Sequence, residues 1–285
     1  MYNKYFTVEV KPPIDADLQN AAAIANDDVI FSWTPFEVPK GSSRLLNVTA
    51  RVIGTNGTAQ HRPFQLLFAK CAANPTTGAL TNPPSMGEYN TVATAIKSKN
   101  QIIGGIKIEA IDFMCQSLVG YSMASTGNSV AANGANVDMV LTPTAEHSHG
   151  NSRYVLDATD ILGSAGDIVP ITPGYDVLWV AGIACSAFDF RSTVTTDLGE
   201  TLAVGATVIH TDTKDANLVF SVGDVLQEVD NTIIGTVTAI GAADSNDVNI
   251  TVDRGIAGAV GRATLADGVK LYARSPITLE LSFEK

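Results

Sequence analysis

The chain has 285 residues, 45% of them hydrophobic and only 16% charged. That balance excludes a disordered chain, which needs low hydrophobicity and high charge, and the length allows one large β domain or two smaller ones. With 29 acidic against 18 basic residues the net charge is −11; such a surface gains no counterion-release affinity for nucleic acid, so no nucleic-acid partner is expected.

In chain order, Tyr5 to Val10 alternates as a half-buried strand does, with Phe6, Val8 and Val10 on one face and Thr7 and Glu9 on the other. No basic segment followed by an apolar one opens the chain, so no signal peptide is expected, and no stretch approaches the ~20 apolar residues of a membrane span, so no membrane partner is expected. After Pro12 and Pro13, Asp15 to Asn26 is Ala-rich, with Asp15 or Asp17 as N-cap, and reads as a short helix or a surface loop. Val29 to Val38 is apolar but interrupted by Pro35, which predicts an edge or bulged strand. Arg44 to Ile53 alternates cleanly, with Leu46, Val48, Ala50 and Val52 on one face; with Phe64 to Lys70 it predicts a hairpin or an adjacent pair. Cys71 to Tyr89 and Ser125 to Asn136 are Gly-, Asn- and Ser- or Pro-rich loops, long enough to act as contact arms.

Thr91 to Lys99 reads as a turn or two of helix. Ile102 to Ala110, Ser117 to Ala124, Val137 to Thr142 and Arg153 to Ala158 read as strands. Val177 to Phe190 is almost continuously apolar, as a central strand covered on both faces would be. Ile277, Leu279, Leu281 and Phe283 alternate strictly with Thr278, Glu280, Ser282 and Glu284. The pattern predicts an all-β protein: a β-sandwich, of jelly-roll type in one reading, over residues 1–196, with a small β-barrel-like module over 197–276. The 277–285 strand is expected to return to the first sheet, which would make the module an insertion; two domains in tandem is the alternative.

Within the module, Ala216 to Leu226, Ile233 to Ile240, Val248 to Val252 and Val269 to Tyr272 are β-rich runs divided by Gly, Asp and Asn turns. At the Val222-Gly223-Asp224-Val225 turn, Gly223 is free to take positive φ and Asp224 to bond nearby backbone. This order resembles the small β-barrel modules of tailed-bacteriophage virion proteins, especially capsid decoration or cement proteins, over about a fifth of the chain. The resemblance implies a non-enzymatic virion structural protein on the capsid surface, made in the host cytoplasm. Its implied partners are the major capsid protein and further copies of itself, as a homo-oligomer with a trimer suiting local three-fold positions. A phage tail or head-fibre protein that binds a host-surface glycan is the alternative.

No catalytic, cofactor-binding or metal-binding residue is assigned. Glu146, His147 and His149 could flank a metal, since residues two apart on an extended segment point to one side, but no third ligand is identified and a solvated loop is the plainer reading. A cupin-like metalloenzyme would be centred there. His61 and His210 stand alone. Asp244 to Asn249 lacks the glycine and glutamate that a calcium loop needs and reads as a hairpin turn. Cys71, Cys115 and Cys185 form no C-x-x-C pair and read as free thiols, buried at Cys71 and Cys185. Trp33, Phe36 and Trp179 are candidate contact anchors that also suit a core.

Overall fold

The computed structural model describes residues 4–21, 23–54, 59–73, 80–81, 83, 86, 101–114, 122–126, 139–143, 153–155, 168–170, 172–192, 194–196, 202–203, 206–212, 216–242, 247–253 and 264–285. The first half runs β1 (Tyr5–Val10), α1 (Ala16–Ala21), β2 (Val29–Pro39), β3 (Ser43–Val52), β4 (Phe64–Lys70), β5 (Ala72–Ala73), β6 (Leu80–Thr81) and β7 (Ile102–Ile108), then a 3-10 turn at Ala110–Asp112. There follow β8 (Ser122–Ser125), β9 (Met139–Leu141), β10 (Arg153–Val155), β11 (Ile168–Pro170), β12 (Tyr175–Ala184), β13 (Leu202–Ala203) and β14 (Val208–Thr211). The remainder is α2 (Ala216–Val219), β15 (Val225–Gln227), β16 (Ile233–Ile240), β17 (Val248–Val252), β18 (Thr264–Leu265), β19 (Tyr272–Ala273) and β20 (Ile277–Glu284).

The chain is all-β, and two antiparallel sheets pack as a sandwich. One sheet has the order β1-β20-β3-β8, with β9 beside β8 on the same flank of β3; the other has the order β2-β12-β4-β7. The wiring nests: β1 pairs with β20, β2 with β12, β3 with β8 and β9, and β4 with β7. That is the wrapping of a jelly roll, in which a long antiparallel ribbon folds over to make both layers. It corrects the expected pairing of β3 with β4, which lie in opposite sheets. Alternation identifies each as a strand with one buried face but carries no information on its neighbour.

The core between the layers follows from the period-two pattern. Ile277, Leu279, Leu281 and Phe283 of β20 join Leu45, Val48, Ala50 and Val52 of β3 against Phe36, Val38, Phe64, Leu66, Phe68, Leu178 and Val180 of the facing sheet. Each such side chain contributes about 1.5–3 kcal/mol by leaving water. Phe283 stacks on Phe6 at 5.1 Å and on Phe36 at 6.3 Å between ring centroids. Leu45 and not Leu46 enters the core, because a bulge between Ser282 and Phe283 of the partner register shifts the pairing by one residue. On β12, a Cβ at Gly182 would meet the Phe31 ring at 2.3 Å, so only glycine lets that ring lie over the strand.

The outer face of β12 and its neighbours is also apolar. Trp179, Val177, Ala69 and Cys71 cluster with Trp33, and Val29, Ala181 and Met86 form a second cluster beside them. Met86 donates its N–H to Ser32 Oγ at 2.9 Å, so this part of the 71–89 segment, a proposed contact arm, packs on the chain's own sheet. Phe36 and Trp179 are buried core residues and Trp33 is half-buried.

Val194 to Ala273 build a second core around Ile209, Phe220, Leu226, Val237, Ile250 and Leu271, which Ile53 at the end of β3 joins. Its sheet has the order β14-β17-β16-β15-β19. The ladder is open and does not close as the expected barrel; single bridges, Thr195 to Lys270 and Thr196 to Thr211, span its two edges. Ala216–Val219 is a helical turn where a strand was expected, with Phe220 N–H on the Ala216 carbonyl at 2.9 Å. Gly223 takes a φ of 94° and its N–H bonds the Val237 carbonyl at 2.8 Å, while Asp224 accepts the Ser221 N–H at 2.7 Å. Residues 244–246 of the expected Asp244–Asn249 turn lie outside the described residues; Val248 and Asn249 belong to β17, which pairs antiparallel with β16. The Thr91–Lys99 helix expectation lies outside the described residues.

Leu281→Ala, which opens a cavity in the filled layer, is expected to cost about 2–5 kcal/mol in urea unfolding. Glu280, exposed and directly opposite Glu9, predicts the reverse sign: Glu280→Lys should stabilise by about 0.2–1 kcal/mol.

Candidate functional site

A cluster of buried polar side chains lies where the N-terminal segment meets the inserted sheet. β20 carries the chain back into the first sheet, so the module hangs between β12 and β20 and must be held by contacts across this joint. Gln19 of α1 and Gln227 of β15 are buried, as is Arg274 just after β19. Gln19 Nε2 donates to the carbonyls of Ile14 at 2.8 Å and Ala273 at 3.0 Å. Gln227 Nε2 donates to the same Ile14 oxygen at 2.8 Å, and its Oε1 accepts from Arg274 Nη1 at 3.0 Å. Backbone bonds from Ile14 N to Arg274 O and from Ile53 N to Pro276 O, each 2.8 Å, frame the cluster. A buried amide leaves its polar atoms costly unless each is bonded, and here each glutamine reaches across elements far apart in sequence.

Three further contacts surround it. Asn231, held at a φ of 65°, accepts the Ala16 N–H at 2.6 Å, so the first turn of α1 is capped from the module. Tyr272 donates its hydroxyl to Asn20 Oδ1 at 2.7 Å, and burial pushes its phenol up to about 12. Arg51 of β3 donates to Ser221 Oγ at 2.9 Å and lies 3.7 Å from the Asp224 carboxylate. Burial raises the Asp224 pKa even though Arg51 and the Ser221 N–H favour its charged form. A cavity of ≈ 10 Å³ at this joint, lined by Gln19, Ile53, Phe190, Ser192, Val219 and Ala273, has room for one water and not for an organic ligand. The arrangement performs fixation: the bonds made by Gln19 Nε2, Gln227 and Arg274 Nη1 tie the N-terminal segment to the inserted sheet.

Among the described residues, those that the sequence raised for chemistry are not brought together. His61 stacks on Phe113 in the sandwich, 5.3 Å between centroids, whereas His210 sits on β14 opposite Asn249 in the module. Glu146, His147 and His149, like Cys115, lie outside the described residues; among the described residues no three His, Cys, Asp or Glu side chains converge on a metal position. Cys71 and Cys185 are free thiols; Cys71 is buried as expected and Cys185 is only half-buried. Cys71 accepts a bond from Trp179 Nε1 at 3.4 Å, and burial pushes its thiol up, opposite to the shift of a nucleophilic cysteine. Cys185 is also pushed up, chiefly by burial. No helix among the described residues is long and apolar enough to cross a membrane.

Sequence reasoning passed over Gln19, Gln227, Asn231 and Arg274.

The chain matches no model of a known protein family, and no curated protein sequence matches it.

Gln227→Ala removes two donor–acceptor links, one of them to a charged group, and is expected to cost about 2–3 kcal/mol in chemical unfolding. The Tyr272 phenol, raised from 10.0 to about 12, favours the folded state fully below its unfolded value; that contribution is lost as pH rises through the folded value. Tyr272→Phe should therefore cost about 0.5–1.5 kcal/mol at neutral pH and flatten the fall in stability between pH 10 and about 12, read by melting across a pH series. Native protein treated with iodoacetamide should stay unlabelled at Cys71 by peptide mass mapping and become labelled in urea.

Proposed function

We propose that this protein is a non-enzymatic structural subunit of a tailed-phage particle, a capsid decoration or cement protein that works by association. The observation that carries this reading is a jelly-roll sandwich with a second β sheet inserted before its last strand and pinned to it by the buried Gln19–Gln227–Arg274 joint. Jelly rolls recur in capsid and lectin domains. A fold alone does not assign a function, and the inserted module adds the strand order that resembles decoration proteins.

The mechanism is interface free energy. A subunit spanning the joint between capsid proteins buries surface on both, and its binding stabilises the assembled shell by mass action. A joint that holds sandwich and module in one arrangement lowers the ordering cost of binding two neighbours at once. The acidic balance of −11 keeps free copies apart in solution until specific contacts form.

Gold-labelled antibody against the chain, applied to intact particles of the phage that encodes it, should decorate the heads evenly in electron micrographs. Label at tail tips or fibres would replace this reading with that of a glycan-binding attachment protein. Unlabelled particles would exclude both.

A further inference from the structure

β1 is the outer strand of its sheet, paired on one side with β20 and on the other with nothing among the described residues. Its hydrogen-bond phase is set by Lys285 N–H, which donates to the Lys4 carbonyl at 2.8 Å. Because antiparallel pairs alternate, Lys4, Phe6, Val8 and Val10 turn their backbone groups toward β20, and Tyr5, Thr7 and Glu9 turn theirs to the open edge. Unpaired edge N–H and C=O groups are a template for a further strand.

The side chains beside that edge are unfinished in the same way. Phe6 and Val8 pack against the sandwich core but are only half-buried, while Tyr5 is 59% exposed and Thr7 and Glu9 are exposed. A strand added here would cover Phe6 and Val8 on the inner face and lie beside Tyr5, Thr7 and Glu9 on the outer.

We infer that β1 pairs edge to edge with β1 of a second copy, antiparallel, with the two-fold axis passing through Thr7. In that register Tyr5 faces Glu9 of the other copy, Thr7 faces its own equivalent and Glu9 faces Tyr5. The outward backbone groups of all three residues meet partners. On the inner face Phe6 comes opposite Val8 and Val8 opposite Phe6, an aromatic–β-branched match in non-hydrogen-bonded positions, where side chains approach closest. Charge fits as well: no like-charged residues between positions 5 and 9 face each other, and each Glu9 carboxylate can accept from a Tyr5 hydroxyl. The contact is isologous, and the two sheets run on as one through both copies. It depends on no particular function for the protein. A two-fold contact does not close a trimer; where trimers form, this edge joins one to the next.

The test uses two variants of the full chain. In Thr7→Cys the paired Cα atoms would stand about 5.5 Å apart, inside the disulfide range of roughly 4.4–6.8 Å. Oxidised glutathione should give a covalent dimer on a non-reducing gel, absent from the wild type and from Tyr5→Cys or Glu9→Cys alone. Thr7→Pro removes an N–H that points outward and an exposed hydroxyl contact with Ser282 at 3.5 Å, neither of them a rung of the β1–β20 backbone ladder, so the subunit should keep its circular dichroism while its light-scattering mass falls to half that of the wild type. Added salt should strengthen the wild-type dimer, because it screens the repulsion between two acidic copies. A wild-type mass that stays monomeric at every concentration would overturn the pairing. So would Thr7→Cys remaining monomeric under oxidation, or crosslinking no better than the two flanking variants.

Discussion

The structure depends on the placement of β20 between β1 and β3. Each of its inward residues fills a position that no earlier strand supplies, and each of its backbone edges is paired, to β1 through Tyr5–Val10 and to β3 through Arg44–Val52. Without it β1 would have no partner among the described residues and β3 would lose the longer of its flanks. Phe283 makes the dependence concrete, because its ring touches both Phe6 in its own sheet and Phe36 in the facing one. The chain must complete the entire inserted module before that strand arrives. The sandwich is therefore a fold of high sequence separation, of the kind that forms slowly.

That constraint explains why the joint is polar and buried at once. An inserted sheet entered and left through two chain crossings could swing about them if only apolar surface lay between. Directional bonds from Gln19 and Gln227 to the Ile14 carbonyl, and the Asn231 cap on Ala16, select one orientation in a way that non-directional burial does not. The inverted cost structure matters too: a buried amide that loses its partner is worse than an apolar residue, so the geometry is enforced by what misalignment would expose.

How much of this was legible in the sequence varied with the physical signal. Strict alternation in β1 and β20 and the continuous apolar run of β12 specify strands and their buried faces, because period two and two-sided burial leave a mark at every residue. Gly223 and Asp224 announced their turn through conformational need. Partnership left no such mark. β3 and β4 read as a hairpin because both alternate and a Gly-rich stretch divides them, yet a jelly roll sends them to opposite layers. The Leu45-for-Leu46 substitution in the core came from a bulge, and Ala216–Val219 coils into a turn of helix although its residues suit a strand, since the local preference is weak and the surrounding core decides. The joint was invisible for a different reason: Gln19 and Gln227 acquire meaning only through Ile14, Ala273 and Arg274, and nothing local distinguishes them from solvated glutamines.

The central claim is that β20 joins the two ends of the sandwich into one cooperative unit. Hydrogen–deuterium exchange on the intact chain tests it most directly, since amides that open only with the whole unit exchange at the rate of global unfolding. The account predicts that β20 amides, together with those of β3 and β12, are the slowest in the molecule and exchange in step. If β20 exchanged ahead of β3 and β12, as a frayed terminal strand does, the account would be contradicted.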